Sequence, residues 1–204
     1  MKPYPSVALL EFTDIPTGLF AVDRLLKKAP IGLIQSGTIS PGRFLTLFCG
    51  STASVEESYR EGLAIGKSLI LDSVFLPHVD DQLSQTIFGT RGEPNMDSIA
   101  VFESGSVCSM VHATDLALKA TDTRLIELRL ADPLLHGKAL CLMQGELQEV
   151  QAASEVIKHL FQEKKKNFSG RLIPVPHEGI QVQIADTTNF FSSKVINLKG
   201  ENAE

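Results

Sequence analysis

The chain has 204 residues, of which 43% are hydrophobic and 21% charged, and its formal net charge is −5. Those are the values of a soluble globular protein, and the acidic balance argues against nucleic acid as a partner. No apolar run reaches the roughly 18 residues that a membrane-spanning helix needs, so no membrane partner is expected, and Met1-Lys2-Pro3-Tyr4-Pro5 lacks the apolar core of a signal peptide.

The apolar run at 7–12 fits a short buried strand. Helical spacing follows over 15–28, with Leu19, Val22, Leu25 and Leu26 on one face, Thr13 or Asp14 as cap and Pro16 in the first turn. A strand over 33–39 leads into the turn Ser40-Pro41-Gly42, and a third strand occupies 44–49. A helix is expected over 54–68, entered through Ser51 or Thr52 and carrying Val55, Tyr59, Leu63 and Ile65. A fourth strand over 69–76 and a short helix over 80–88 complete the set. Gly92 and Pro94 mark 89–97 as a linker.

The same order then begins again. Val7 to Phe12 and Ile99 to Glu103 open equivalent segments 92 residues apart, so Glu11 meets Glu103, Asp23 meets Asp115 and Lys27 meets Lys119. The spacing grows to 95, where Gly42 meets Gly137, and to 99, where Pro77-His78 meets Pro176-His177. Two copies of about 90 residues are tandem domains and not a short solenoid repeat. In the second copy, strands are expected at 99–103, 124–130, 139–144 and 171–175, and helices at 107–119 and 147–161. The order βαββαβ defines the fold class, α/β (α+β), as two tandem ferredoxin-like domains. The expected division is 1–90 for the first domain, 97–180 for the second and 181–204 for a C-terminal extension. Across the start of that extension Ile180, Val182 and Ile184 alternate, which suits packing on a domain surface or a neighbour.

Candidate chemistry is sparse. Cys49, Cys108 and Cys141 sit in apolar patterns and read as buried free thiols. Glu11 and Glu103 end strands and could bond backbone or caps; Asp23 and Asp115 precede lysines by four residues, the spacing of a helix-surface ion pair. His78 and His177 follow prolines and read as strand-ending residues bonded to backbone. Lys164-Lys165-Lys166 reads as a solvated helix end. No phosphate loop, CxxC, HExxH or clustered acid–base set occurs, so the chain is not expected to be an enzyme.

Ala8-Leu9-Leu10-Glu11, Ala21-Val22-Asp23 with Leu26-Lys27, and Pro41-Gly42 resemble the bacterial microcompartment shell domain, the BMC domain. So do Val101-Phe102-Glu103, Ala113-Thr114-Asp115 with Leu118-Lys119, and Pro174-Val175-Pro176-His177-Glu178. The unpermuted order and the loop around Ser40 resemble in particular the tandem-domain members from propanediol-utilisation compartments. This resemblance implies a structural shell protein in the bacterial cytoplasm: a homotrimer of pseudohexameric outline with a central pore for small metabolites. It would tile with other shell hexamers and pentamers around encapsulated enzymes. It implies pore lining by Ser40, Pro41 and Gly42 and by Asp132, Leu134, Leu135, His136 and Gly137, and tile-edge contacts by Lys27 and Lys119. Those relatives carry a pore cysteine that holds an iron–sulfur cluster. Ser40 stands at the matching position, so no cluster and no other cofactor is expected; a metal held by three His136 side chains is a separate possibility that crystals grown with zinc would test. The alternative to a shell tile is a metabolite-binding regulatory module of duplicated ferredoxin-like domains, which would bind a ligand between domains and form no sheets.

Overall fold

The computed structural model describes residues 4–95 and 97–196. The first copy runs β1 (Ser6–Phe12), α1 (Ile15–Lys28), β2 (Leu33–Ile39), β3 (Arg43–Gly50), α2 (Thr52–Gly66), β4 (Ile70–Leu76) and α3 (Asp81–Ile87). The second runs β5 (Ser98–Ser104), α4 (Val107–Ala120), β6 (Arg124–Arg129), β7 (Ala139–Gly145), α5 (Leu147–Glu163), β8 (Phe168–Ile173) and α6 (Glu178–Asp186). Each copy forms one antiparallel four-stranded sheet, ordered β2-β3-β1-β4 and β6-β7-β5-β8. The βαββαβ pair expected from the sequence is therefore present.

The expected bounds of α1 and β2 match the structure. Asp14 is the cap of α1, accepting from the Thr17 amide at 2.7 Å. α2 starts two residues early because Ser51 caps it, and it stops at Gly66, where Lys67 turns to φ 43°. β8 lies at 168–173 and not at 171–175, since Pro174 and Pro176 cannot donate to a ladder. Ile180, Val182 and Ile184, which alternate, lie in a helix whose N-cap is His177, with Nδ1 accepting from the Gly179 amide at 3.1 Å. Three alternating residues are too few to separate a strand from a half-exposed helix, and only Ile184 of the three is buried.

The strand register also corrects the repeat. Glu11 pairs with Asp72 and Glu103 with Ser169, which sets the spacing at 97 in this part of the fold. Ser6 Oγ donates to the Pro77 carbonyl and Ser98 Oγ to that of Pro174, so those two prolines are equivalent. His78 and His177 are then two residues out of step and do not recur; His177 takes the place of Asp80, the cap of α3.

The two faces of the first sheet explain how the copies sit. Ala8, Leu10, Phe12, Phe44 and Phe48 pack under Ala21, Leu25 and Val55 of their own helices. Gly18 lets α1 approach, since a Cβ there would lie 2.5 Å from the Phe44 ring. The opposite face, Val7, Leu9, Leu47, Cys49, Val74 and Leu76, joins one core with Val107, Cys108, Met110 and Val111 of α4. The copies are therefore packed head to tail, with the back of the first sheet against the second copy's leading helix. Each fully buried aliphatic side chain there contributes about 1.5–3 kcal/mol.

This arrangement corrects the expected face of α1. Gly18, Ala21 and Leu25 are its buried residues, while Leu19 is 58% and Leu26 44% exposed. The matching residues of α4, Val111 and Leu118, are 0% and 6% exposed because they join the core shared with the first copy. α3 leaves its own sandwich and docks on β6 and α4 of the second copy. There the Gln82 side chain accepts from Leu125 N–H at 2.9 Å and donates to Thr123 C=O at 3.2 Å. The linker follows it, with Gly92 N–H bonded to Ile126 C=O at 2.8 Å.

Candidate functional site: the seam between the copies and its loops

The turn after β2 holds a cis Ser40-Pro41 bond and Gly42 at φ 66°. The equivalent loop in the second copy is longer and folds on itself. Asp132 accepts from Leu134 N–H at 2.7 Å, Arg129 binds Asp132 at 2.7 Å, and residues Pro133–Leu135 make one tight helical turn. The chain leaves it through His136 at φ 53° and Gly137 at φ 76°.

The fold brings these loops together. A Cβ on Gly137 would sit 1.8 Å from the Ser40 carbonyl oxygen, so only glycine fits the contact. Arg43, the first residue of β3, joins them: one guanidinium nitrogen donates to Ser40 C=O at 3.0 Å and to Gly137 C=O at 3.3 Å. The other donates to Gly105 C=O at 3.0 Å and to the Glu11 carboxylate. Glu11 is fully buried and the Arg43 side chain is 13% exposed. Burial pushes the Glu11 carboxyl above its ordinary value, and Arg43 is the largest influence holding it down. Glu11 Oε2 and Arg43 Nε are buried without a partner.

Of the residues expected at a pore, Pro41, Gly42, Leu134 and His136 are exposed at this junction. Ser40, Asp132 and Leu135 are half-buried, and Gly137 is buried in the loop contact. Lys27 and Lys119 lie at the C-terminal ends of α1 and α4. Each pairs with the aspartate four residues earlier, at 2.7 and 2.5 Å, as the spacing predicts. Lys119 also donates to His78 C=O at 2.5 Å, where the seam reaches the surface.

Other seam residues were read differently from sequence. Glu11 and Glu103 bind Arg43 and Lys138, not caps; a carboxylate and a basic residue recurring together in both copies was the available signal. Asp72, on β4, caps a helix of the other copy: it accepts from Ser109 N–H at 2.9 Å, Ser109 Oγ at 2.5 Å and Ser106 Oγ. Burial pushes its carboxyl up, but these bonds and Lys164 outweigh that and hold it below the ordinary value. Lys164 lies 3.5 Å from Asp72 and Lys166 donates to Leu71 C=O at 3.0 Å, so this end of α5 is tied to the first copy and not merely solvated.

Cys49, Cys108 and Cys141 are free and buried, in β3, α4 and β7. Burial raises all three thiols, Cys141 to about 12. None stands in either loop, where Ser40 offers only a hydroxyl, a poor iron–sulfur ligand beside thiolate. Among the described residues no cluster of three His, Cys, Asp or Glu could hold a metal, and no helix is long and apolar enough to cross a membrane.

Two antiparallel α/β sandwiches are thus joined head to tail in one chain, with their two variant loops in contact. The BMC domain model matches residues 6–79 and 98–176, and the chain belongs to that family, with two copies of the domain. It is 28% identical over 181 residues to the bacterial microcompartment shell protein PduT of Citrobacter freundii, covering 89% of this chain and 98% of the relative. It is 24% identical to the carboxysome assembly protein CcmO of Synechococcus elongatus, over 70% of this chain and 55% of that one. A microcompartment protein from Desulfitobacterium hafniense superposes with a TM-score of 0.74 at 27% identity, covering 86% of this chain and 97% of that chain. A fused permuted hexameric shell protein of the RMM microcompartment shares the fold, with a TM-score of 0.55 at 16% identity, over 79% of this chain and 83% of that one. The chain is a structural shell protein of bacterial microcompartments and not an enzyme.

Proposed function

We propose that the protein is a homotrimeric, pseudohexameric shell tile with a central pore for small metabolites. The observation that carries this reading is the head-to-tail seam. A heterologous contact leaves its two halves unused at the ends of the chain, and such contacts close into a ring where the rotation between copies closes. In a trimer three chains supply six domains, and each loop residue becomes a ring of three.

Ser40, Pro41 and Gly42 then line the pore together with Asp132, Leu134, Leu135 and His136, while Gly137, expected there too, is buried and holds the two loops together; backbone donors and hydroxyls near the axis suit small polar or anionic metabolites. Neither a cluster nor a metal is part of this reading. Lys27 and Lys119 face neighbouring tiles, other shell proteins complete the surface, and enzymes lie inside, within the bacterial cytoplasm. The binding-module alternative has less support: the cleft between copies, lined by Gln35, Thr38, Leu45, Leu130 and Pro133, holds about 250 Å3. That is below the roughly 300–1,000 Å3 of ordinary ligand sites.

Electron microscopy of purified protein tests the reading. Class averages with hexagonal outline and a central hole are expected. Featureless monomers that bind a metabolite tightly would replace the tile by the binding module.

A further inference from the structure

The seam inside the chain uses the first copy's outer sheet face and the second copy's α4. Of the reverse pair, α1 is open and the second sheet's outer face is open along β8, beside the part that α6 covers. α1 presents Leu19 and Leu26 to solvent, and the outer face of the second sheet is covered by Ile184 of α6 on Ile99, Ile126 and Leu142, while Ser169 and Arg171 on β8 stay open. Glu103 and Lys138 pair at 2.9 Å but remain 44% and 45% exposed, unlike Glu11 and Arg43.

The polar residues of the two seams are not copies of each other. In the internal seam the strand carries the acid and the helix end carries hydroxyls: Asp72 receives Ser106 and Ser109. At the matching places of the leftover pair the types are exchanged. Ser169 stands opposite Glu103 as Asp72 stands opposite Glu11. Asp14 and Thr17 begin α1 as Ser106 and Ser109 begin α4. Acid and hydroxyl have changed sides.

We propose that this exchange is a pairing code for a second copy of this chain: Ser169 donates to Asp14 of the next protomer, while wrong pairings are penalised. The proposal rests on the trimer reading. If a first-copy sheet face met α1, Asp72 would confront Asp14, two carboxylates at one helix end. If a second-copy sheet face met α4, Ser169 would confront Ser106 and Ser109 with no acid between them. Only the alternating order, first copy to second copy around the ring, gives each helix end one acid and one hydroxyl partner. Specificity of this kind comes from the repulsive combination as much as from the matched one. The same docking brings Lys138 toward the Gly42 carbonyl, as Arg43 reaches that of Gly137.

The test uses the full chain with S169D, D14S and D14S/S169D, with dissociation followed by light scattering on dilution in a fixed low concentration of urea. Serine caps a helix about as well as aspartate, so D14S keeps α1 intact; far-UV circular dichroism checks each fold. S169D should weaken the trimer about tenfold or more, by placing carboxylates face to face. The double variant rebuilds the internal seam's arrangement with the donors and acceptor on their other sides, and should return to within about threefold of the unaltered chain. An S169D trimer as tight as the unaltered one, or a double variant no tighter than S169D, overturns the code while leaving the trimer standing. An unaltered chain that is not a trimer overturns the functional reading and the code together.

Discussion

Replacing Arg43 by glutamine removes a residue that touches both loops, both copies and a fully buried carboxylate. Glutamine cannot reach all four acceptors, and Glu11 is left charged in the core. Breaking a buried pair from one side costs about 3–5 kcal/mol, most of it the stranded charge. At about 2–4 °C per kcal/mol for a chain of this size, the melting temperature should fall by roughly 6–20 °C. The pH dependence identifies the cause. Glu11 already lies above its ordinary 4.5 in the folded protein, and losing Arg43 raises it further. A carboxyl raised on folding favours the fold below its unfolded value, and that stability is lost as pH rises through the folded value. The variant's deficit should therefore be small near pH 4 and grow toward neutrality, and E11Q/R43Q should recover much of it. Calorimetry from pH 4 to 8 reads this directly. A deficit under about 1 kcal/mol, or one that does not change with pH, would refute the stranded-charge argument.

Asp72→Asn should cost about 1–3 kcal/mol at neutral pH, since it weakens charge-assisted bonds that join the copies. Because the Asp72 carboxyl is held below 3.8, that contribution is present above this value and lost as pH falls through the folded one; chemical denaturation at pH 7 and pH 3 should show the gap closing. Gly137→Ala should destabilise by at least about 2 kcal/mol, from the left-handed backbone and the clash with Ser40. Gly42→Ala, with open space around its Cβ, should cost only the backbone strain of about 1–2 kcal/mol; thermal melts of the pair separate the two effects. Iodoacetamide at pH 7.5 should label no thiol in the folded protein and all three after unfolding, because burial keeps Cys49, Cys108 and Cys141 protonated and out of reach.

The sequence carried the domain pair well because internal duplication checks each element twice. α1 and β2 came out residue for residue, since Asp14 with Pro16 and the Pro41-Gly42 turn fix their ends by local chemistry. What it did not carry is what depends on the other copy. Leu19 and Leu26 looked like core because apolar spacing cannot tell a residue's own sheet from a neighbour's. Asp72, Ser106 and Ser109 are ordinary polar residues until the fold sets β4 beside α4. The two-residue slip at His78 and His177 arose because a Pro-His dipeptide matched by identity, whereas strand pairing and the Ser6 and Ser98 hydrogen bonds fix the true register.

The central claim is that the seam within the chain repeats between chains and closes after three. Light scattering coupled to size exclusion measures this without labels or partners. The account predicts a single species of three times the 22.2 kDa chain, unchanged over a wide concentration range. A monomer, a dimer or an open series of growing oligomers would contradict it.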